Sequence, residues 1–132
     1  MATILITGCR SGIGYETALA FGRRGDTVYA TMRDPSIDDR LRDAVARESL
    51  PVVIRGLDVT DGTAIRDVVA CIVVERGSID VLVNNAGIAF VEATEEADEA
   101  RARLVWETNF WGPLHLCQAV LPHMRVQRAG VI

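Results

Sequence analysis

The sequence predicts an α/β fold, a doubly wound parallel sheet of strand order 3-2-1-4 with the start of strand 5 beside strand 4 and helices on both faces. Three observations carry this. Short apolar runs alternate with stretches of helical periodicity at the spacing of βαβ units. The run Ile79 to Val83 is apolar enough to be covered on both faces, as parallel strands are. A glycine-rich turn, Gly8 to Gly14, lies where the first strand gives way to the first helix.

In chain order, Ala2 to Thr7 reads as strand one. A helix from Gly12 to about Arg24 follows, with Ile13, Thr17 and Ala20-Phe21 expected on its inner face, and Gly25 stops it. Thr27 to Met32 is strand two, which Pro35 prevents from continuing. Ser36 with Asp39 resembles a capping box, opening a charged helix to about Glu48. Pro51 to Leu57 is strand three. A helix from about Asp61 to Arg76 has Ile65, Val68-Val69 and Ile72 at helical spacing, and Gly77 closes it. Strand four, Ile79 to Val83, runs into Asn84-Asn85-Ala86-Gly87. After an acidic loop, one long helix is expected from about Asp98 to Val126, and Gly130-Val131-Ile132 starts strand five. Right-handed crossovers put the ligand crevice where strands one and four diverge, with Gly8–Gly14 and Asn84–Gly87 at their carboxyl ends.

Composition narrows the function classes. Apolar residues make up 49% of the chain, too many for a disordered segment, and no apolar run approaches the length of a membrane span. A net charge of −4, from 18 acidic and 14 basic residues spread along the sequence, offers no basic face for nucleic acid. Cys9, Cys71 and Cys117 are odd in number and widely spaced, which favours reduced thiols over disulfides or a zinc site, and no metal site is expected. Cys9 reads as packing, with reaction toward oxidants as the alternative. No targeting signal precedes the first strand, so the expected location is cytoplasmic.

The glycine turn carries the chemistry. Gly8 permits the turn, Gly12 lets backbone approach a pyrophosphate, and Gly14 lets the helix pack close to the sheet; Ser11 and Arg10 can add hydrogen bonds or charge to phosphate oxygens. Farther on, Pro113 lies inside a helical pattern and has no N–H, so the carbonyl of Asn109 loses its helical partner and a kink is expected there. His115 and His123 have no companion nucleophile or metal ligand and read as structural or solvated. The cluster Glu95-Glu96-Asp98-Glu99 reads as a solvated loop and helix start.

Taken together, Thr7-Gly8-Cys9-Arg10-Ser11-Gly12-Ile13-Gly14, Asp58-Val59, Asn84-Asn85-Ala86-Gly87 and Asn109 resemble, in order and spacing, the N-terminal half of a classical short-chain dehydrogenase/reductase, whose fold is Rossmann-type. The resemblance implies that Thr7, Gly8, Arg10, Ser11, Gly12, Ile13 and Gly14 bind the cofactor. It also implies that Asp58 accepts from the adenine amino group with Val59 beside it, and that Asn85, Ala86 and Gly87 support the cofactor ribose. Asn109 would belong to the catalytic tetrad, its carbonyl holding a water on the proton relay. A helix cap is the alternative for Asp58. At the end of strand two stand Met32 and Arg33 rather than a carboxylate, which favours NADP(H) through pairing of Arg33 with a 2′-phosphate; NAD(H), with Asp34 on the ribose, is the alternative.

The resemblance further implies hydride transfer between the cofactor and a small-molecule carbonyl or alcohol, with a lean toward hydroxysteroids and related apolar alcohols, and a homo-oligomer for the full-length enzyme. The family's catalytic serine and Tyr-x-x-x-Lys lie after strand five. Tyr15 and Tyr29 have no lysine in reach, because the sequence contains none. Residues 1–132 are therefore expected to be a single cofactor-binding domain, incomplete at its C-terminal end and inactive alone, with a non-catalytic dinucleotide-binding module as the rival reading.

Overall fold

Alternation in the first strand sets the architecture. The computed structural model describes all residues, Met1 to Ile132. Strand β1 (Thr3–Ile6) is buried throughout; successive side chains point to opposite faces, so Ile4 and Ile6 join one apolar cluster and Leu5 the other. Strand β2 (Thr27–Met32) repeats the division, with Val28, Ala30 and Met32 on the first side and Tyr29 on the second. With β3 (Val52–Gly56) and β4 (Val81–Val83), they form one parallel sheet of order β3-β2-β1-β4, as expected. Val131 makes a parallel bridge with Val81: the Leu82 N–H donates to the Val131 carbonyl at 2.9 Å, and the Val131 N–H to Asp80 at 3.0 Å. The fifth strand thus begins beside β4.

Helices cover the two faces. On the Ile4 side lie α1 (Gly12–Arg23) and α2 (Arg40–Glu48), which bury Ala18, Leu19, Leu41 and Ala44. On the Leu5 side lies α3 (Gly62–Arg76), contributing Ile65, Val69 and Ile72. There too is the long C-terminal helix, which contributes Leu116, Val120 and Met124 at four-residue spacing. Each of the leucine, isoleucine, valine and methionine side chains among these, fully buried, stabilises the fold by about 1.5–3 kcal/mol.

Four expectations are corrected. In α1 the inner face is Gly14, Ala18, Leu19 and Gly22, while Ile13 is 78% exposed, Ala20 is exposed, and Thr17 and Phe21 are only half-buried. Close approach decides this: a Cβ on Gly22 would stand 2.8 Å from Val52 Cγ2, so small residues face the sheet and the bulkier Ile13 turns out. The capping box does not form. Both the N–H and the hydroxyl of Ser36 donate to Asp34 Oδ1, at 2.9 and 2.6 Å, and this turn delays α2 to Arg40. Strand β4 starts at Val81, and only Leu82 is fully covered; Val81 and Val83 are half-buried.

The expected single helix is three segments: α4 (Glu99–Trp106), a π turn (Glu107–Trp111) and α5 (Gly112–Gln127). Pro113 cannot donate, and the chain answers with a widened turn in which the Gly112 N–H reaches back to the Glu107 carbonyl.

Candidate functional site

The site grows from the carboxyl ends of β1 and β4. Thr7 binds the two strands: its N–H donates to the Val83 carbonyl at 3.1 Å, and its hydroxyl oxygen accepts from the N–H groups of Asn85 and Ala86 at 3.1 and 3.0 Å. Asn85 answers with its amide nitrogen, donating to the carbonyls of Thr7 at 2.9 Å and Gly8 at 3.1 Å. Gly8 adopts φ +71°, and a Cβ there would lie 2.8 Å from Ala86 Cα. Only glycine fits this position. Gly14 is equally confined, since its Cβ would overlap Asn85 Nδ2 and the Gly8 carbonyl. Gly12, at φ +61°, faces open space instead.

That openness lies at the start of α1. Ser11, at the N-cap, makes no side-chain capping bond, and the first turn holds no acidic residue. By contrast, Asp61 caps α3 through the N–H groups of Thr63 and Ala64 at 2.9 and 3.0 Å. The first-turn N–H groups of α1 are left for an anion, the property a pyrophosphate-binding turn needs.

A cavity of about 480 Å³ opens from this turn. Gly8, Arg10 and Ser11 line it from the turn after β1, and Met32, Arg33, Asp34 and Ile37 from the end of β2 and the loop beyond it. Leu57, Asp58, Val59 and Thr60 line it from the segment after β3, and Ala86, Gly87 and Ile88 from the segment after β4, with Leu104 of α4 and Thr108 of the π turn. Asp58 is not a helix cap, because Asp61 fills that role. Its Oδ1 accepts from the N–H and hydroxyl of Thr60, at 2.9 and 2.8 Å, which fixes the carboxylate at the wall. Arg33 is exposed and forms no ion pair. Asp34 turns its Oδ1 to Ser36, whose two hydrogen bonds hold its carboxyl below the usual range.

Of the residues singled out from sequence, Gly8, Arg10, Ser11, Arg33, Asp58, Val59, Ala86 and Gly87 line this cavity directly. Thr7, Gly14 and Asn85 lie behind it as the joint between strands, and Gly12 and Ile13 are exposed at the start of α1. Asn109, in the π turn, grips the loop after β4. Its Oδ1 accepts from the Ile88 N–H at 2.9 Å and its Nδ2 donates to the Ile88 carbonyl at 2.7 Å. Its own i+4 neighbour is Pro113, so an ordinary helical bond to its carbonyl cannot form.

Ile88, Leu104 and Thr108 escaped the sequence reading. Leu104 and Thr108 are four apart, one turn of the helix preceding Asn109, and that spacing was the available signal. His115 lies on α5 beside Trp111, their rings 6.1 Å apart, and outside this cavity. Cys9 is fully buried, its thiol pushed up to about 12 by desolvation, so packing is its role. No group of three or more His, Cys, Asp or Glu side chains is placed to hold a metal, and no helix is long and apolar enough to cross a membrane.

Comparison with known proteins agrees with this geometry. A family model described as short chain dehydrogenase matches residues 2–132. The chain is 40% identical over 129 residues to 3-ketodihydrosphingosine reductase of Bacteroides thetaiotaomicron, covering 98% of this chain and 44% of that protein. It is 39% identical over 135 residues to human retinol dehydrogenase 8, covering 98% and 42%. The chain therefore spans less than half the length of these two relatives. Among solved structures, a short-chain dehydrogenase from Streptomyces avermitilis superposes with a TM-score of 0.90 at 40% identity, over 98% of this chain and 47% of that one. A metagenomic short-chain oxidoreductase in complex with NADP superposes at 0.91 with 25% identity, over 98% and 60%.

Proposed function

Because the chain belongs to the short-chain dehydrogenase family, we propose that it is the cofactor-binding half of an NADP(H)-dependent oxidoreductase that interconverts a carbonyl and an alcohol. The observation that carries the cofactor reading is the cavity itself. Ser11 at the uncapped start of α1 lines it, and so does Arg33, which pairs with no carboxylate. In this reading the N–H groups around Gly12 and Ile13 hold the pyrophosphate, Ser11 adds to it, and Arg33 pairs with the 2′-phosphate, with Arg10 of the same cavity adding its charge there. Asp58 accepts from the adenine amino group beside Val59. Ala86 and Gly87 pass under the ribose, kept in place by Asn85 and Thr7.

The bound cofactor supplies the hydride. Asn109 serves the proton relay through its carbonyl, which Pro113 leaves without its helical donor. Relatives that act on 3-ketodihydrosphingosine and on retinol favour an apolar carbonyl or alcohol as substrate. A homo-oligomer of the whole enzyme would cover the exposed Trp106, Phe110 and Trp111.

Titration with NADPH and NADH, in the parent and in Arg33→Asp, tests the cofactor assignment. NADPH should bind more tightly to the parent. The substitution should weaken NADPH by roughly ten- to a hundred-fold, the worth of a charge-assisted pair, and favour NADH. Unchanged selectivity refutes the assignment.

A further inference from the structure

We propose that Asp38 is a specificity-determining residue for the cofactor: its carboxylate is shared by Arg10 and Arg40 beside the crevice, and this sharing limits how strongly the site prefers a 2′-phosphorylated dinucleotide. The inference rests on the cofactor reading above.

Arg40 holds Asp38 closely. Its Nε reaches the two carboxylate oxygens at 3.1 and 2.9 Å, its Nη2 reaches Oδ2 at 2.7 Å, and its backbone N–H donates to Oδ1 at 3.0 Å. The same Oδ2 lies 3.9 Å from Nε of Arg10, a long contact on a side chain that is 51% exposed. Arg40 Nη2 also reaches the Arg10 carbonyl at 3.5 Å, so the start of α2 leans on the glycine-rich turn. Two guanidiniums thus draw on one carboxylate, and Arg10 is the loosely held member. The hydrogen bonds from Arg40 hold the Asp38 carboxyl down to about 2, so it stays ionised throughout the neutral range.

Arg10 and Arg33 both line the cavity, with Asp34 beside them. An incoming phosphate must compete with Asp38 for Arg10, whereas the unphosphorylated ribose has no such contest. Like-charge repulsion between Asp38 and the phosphate acts in the same direction. Arg40 moderates both effects, because it takes most of the hydrogen-bonding capacity of Asp38. Opposite consequences follow for the two members of the pair. Removing the Asp38 charge strengthens phosphate recognition; removing Arg40 turns Asp38 wholly onto Arg10 and weakens it.

The test is equilibrium binding of NADPH, NADH, 2′,5′-ADP and 5′-AMP to the parent, Asp38→Asn and Arg40→Gln at two salt concentrations. Asp38→Asn should bind NADPH and 2′,5′-ADP about five-fold more tightly, as expected for one partly screened charge, and NADH and 5′-AMP unchanged. Higher salt should shrink the gain. Arg40→Gln should weaken NADPH and 2′,5′-ADP by a similar factor. Unchanged or weaker NADPH binding by Asp38→Asn overturns the inference, as does a parallel change in NADH. Tighter NADPH binding by Arg40→Gln overturns it too. A parent that shows no preference for NADPH refutes the cofactor reading, and this inference with it. A parent that prefers NADPH while Asp38→Asn leaves the preference intact refutes only the role of Asp38.

Discussion

Gly14→Ala places two familiar effects in opposition. Alanine within a helix is favoured over glycine by about 1 kcal/mol, and Gly14 is the third residue of α1. Against this, the new Cβ would overlap Asn85 Nδ2 and the Gly8 carbonyl, both part of the joint between β1 and β4. If Asn85 yields, its hydrogen bonds to the Thr7 and Gly8 carbonyls, at 2.9 and 3.1 Å, are lost, at about 1 kcal/mol each. If the helix yields instead, overpacking costs about 1–3 kcal/mol. Where both penalties act in full, the net is a loss of about 2–4 kcal/mol, and packing prevails over propensity. Urea unfolding followed by far-UV circular dichroism measures it directly, and the melting temperature should fall on the order of 10 °C. A Gly14→Ala chain as stable as the parent would refute the claim that close approach governs this helix.

Two further substitutions probe the site and its support. Asn109→Ala removes both hydrogen bonds to Ile88, so amide exchange at Ile88 should speed by roughly ten-fold while global stability falls by only about 1 kcal/mol; unchanged exchange would show that Asn109 does not hold this loop. Tyr29→Phe removes the bond to Glu75 and should cost about 1.5–3 kcal/mol at neutral pH, read from urea unfolding. In the parent, burial and then the Glu75 hydrogen bond raise the Tyr29 phenol to about 12. Its contribution is therefore fully present below the unfolded value near pH 10 and is lost as the pH rises to about 12. Stability measured across that interval should drop in the parent and stay flatter in Tyr29→Phe; superimposable profiles would contradict the assignment.

The sheet was legible because short continuous apolar runs such as Ile4-Leu5-Ile6 and the turn chemistry around Gly8, Gly25 and Gly77 all agree. The placing of a crevice at the carboxyl ends of β1 and β4 was legible because Gly8, whose type is forced, lies there. The inner face of α1 was misread because periodicity counts apolar residues, whereas this helix meets the sheet through Gly14, Ala18 and Gly22, and Ile13 is turned outward. Competition among short-range bonds hid the start of α2: Asp34 captures Ser36 before it can serve a capping box. Pro113 announced an irregularity at Asn109 correctly, yet not its form. A widened turn aims the Asn109 side chain at Ile88 in the loop after β4, 21 residues earlier in the chain, a long-range contact absent from local sequence.

The central claim is that the crevice between β1 and β4 holds a 2′-phosphorylated dinucleotide, and amide NMR of the folded chain titrated with NADPH tests it most directly. The account predicts shifts concentrated at residues 8–14, at Arg33, at 58–60 and at 85–88, with weaker changes at Arg33 when NADH is added instead. A folded spectrum in which NADPH leaves these amides unmoved, or moves others in their place, would contradict it.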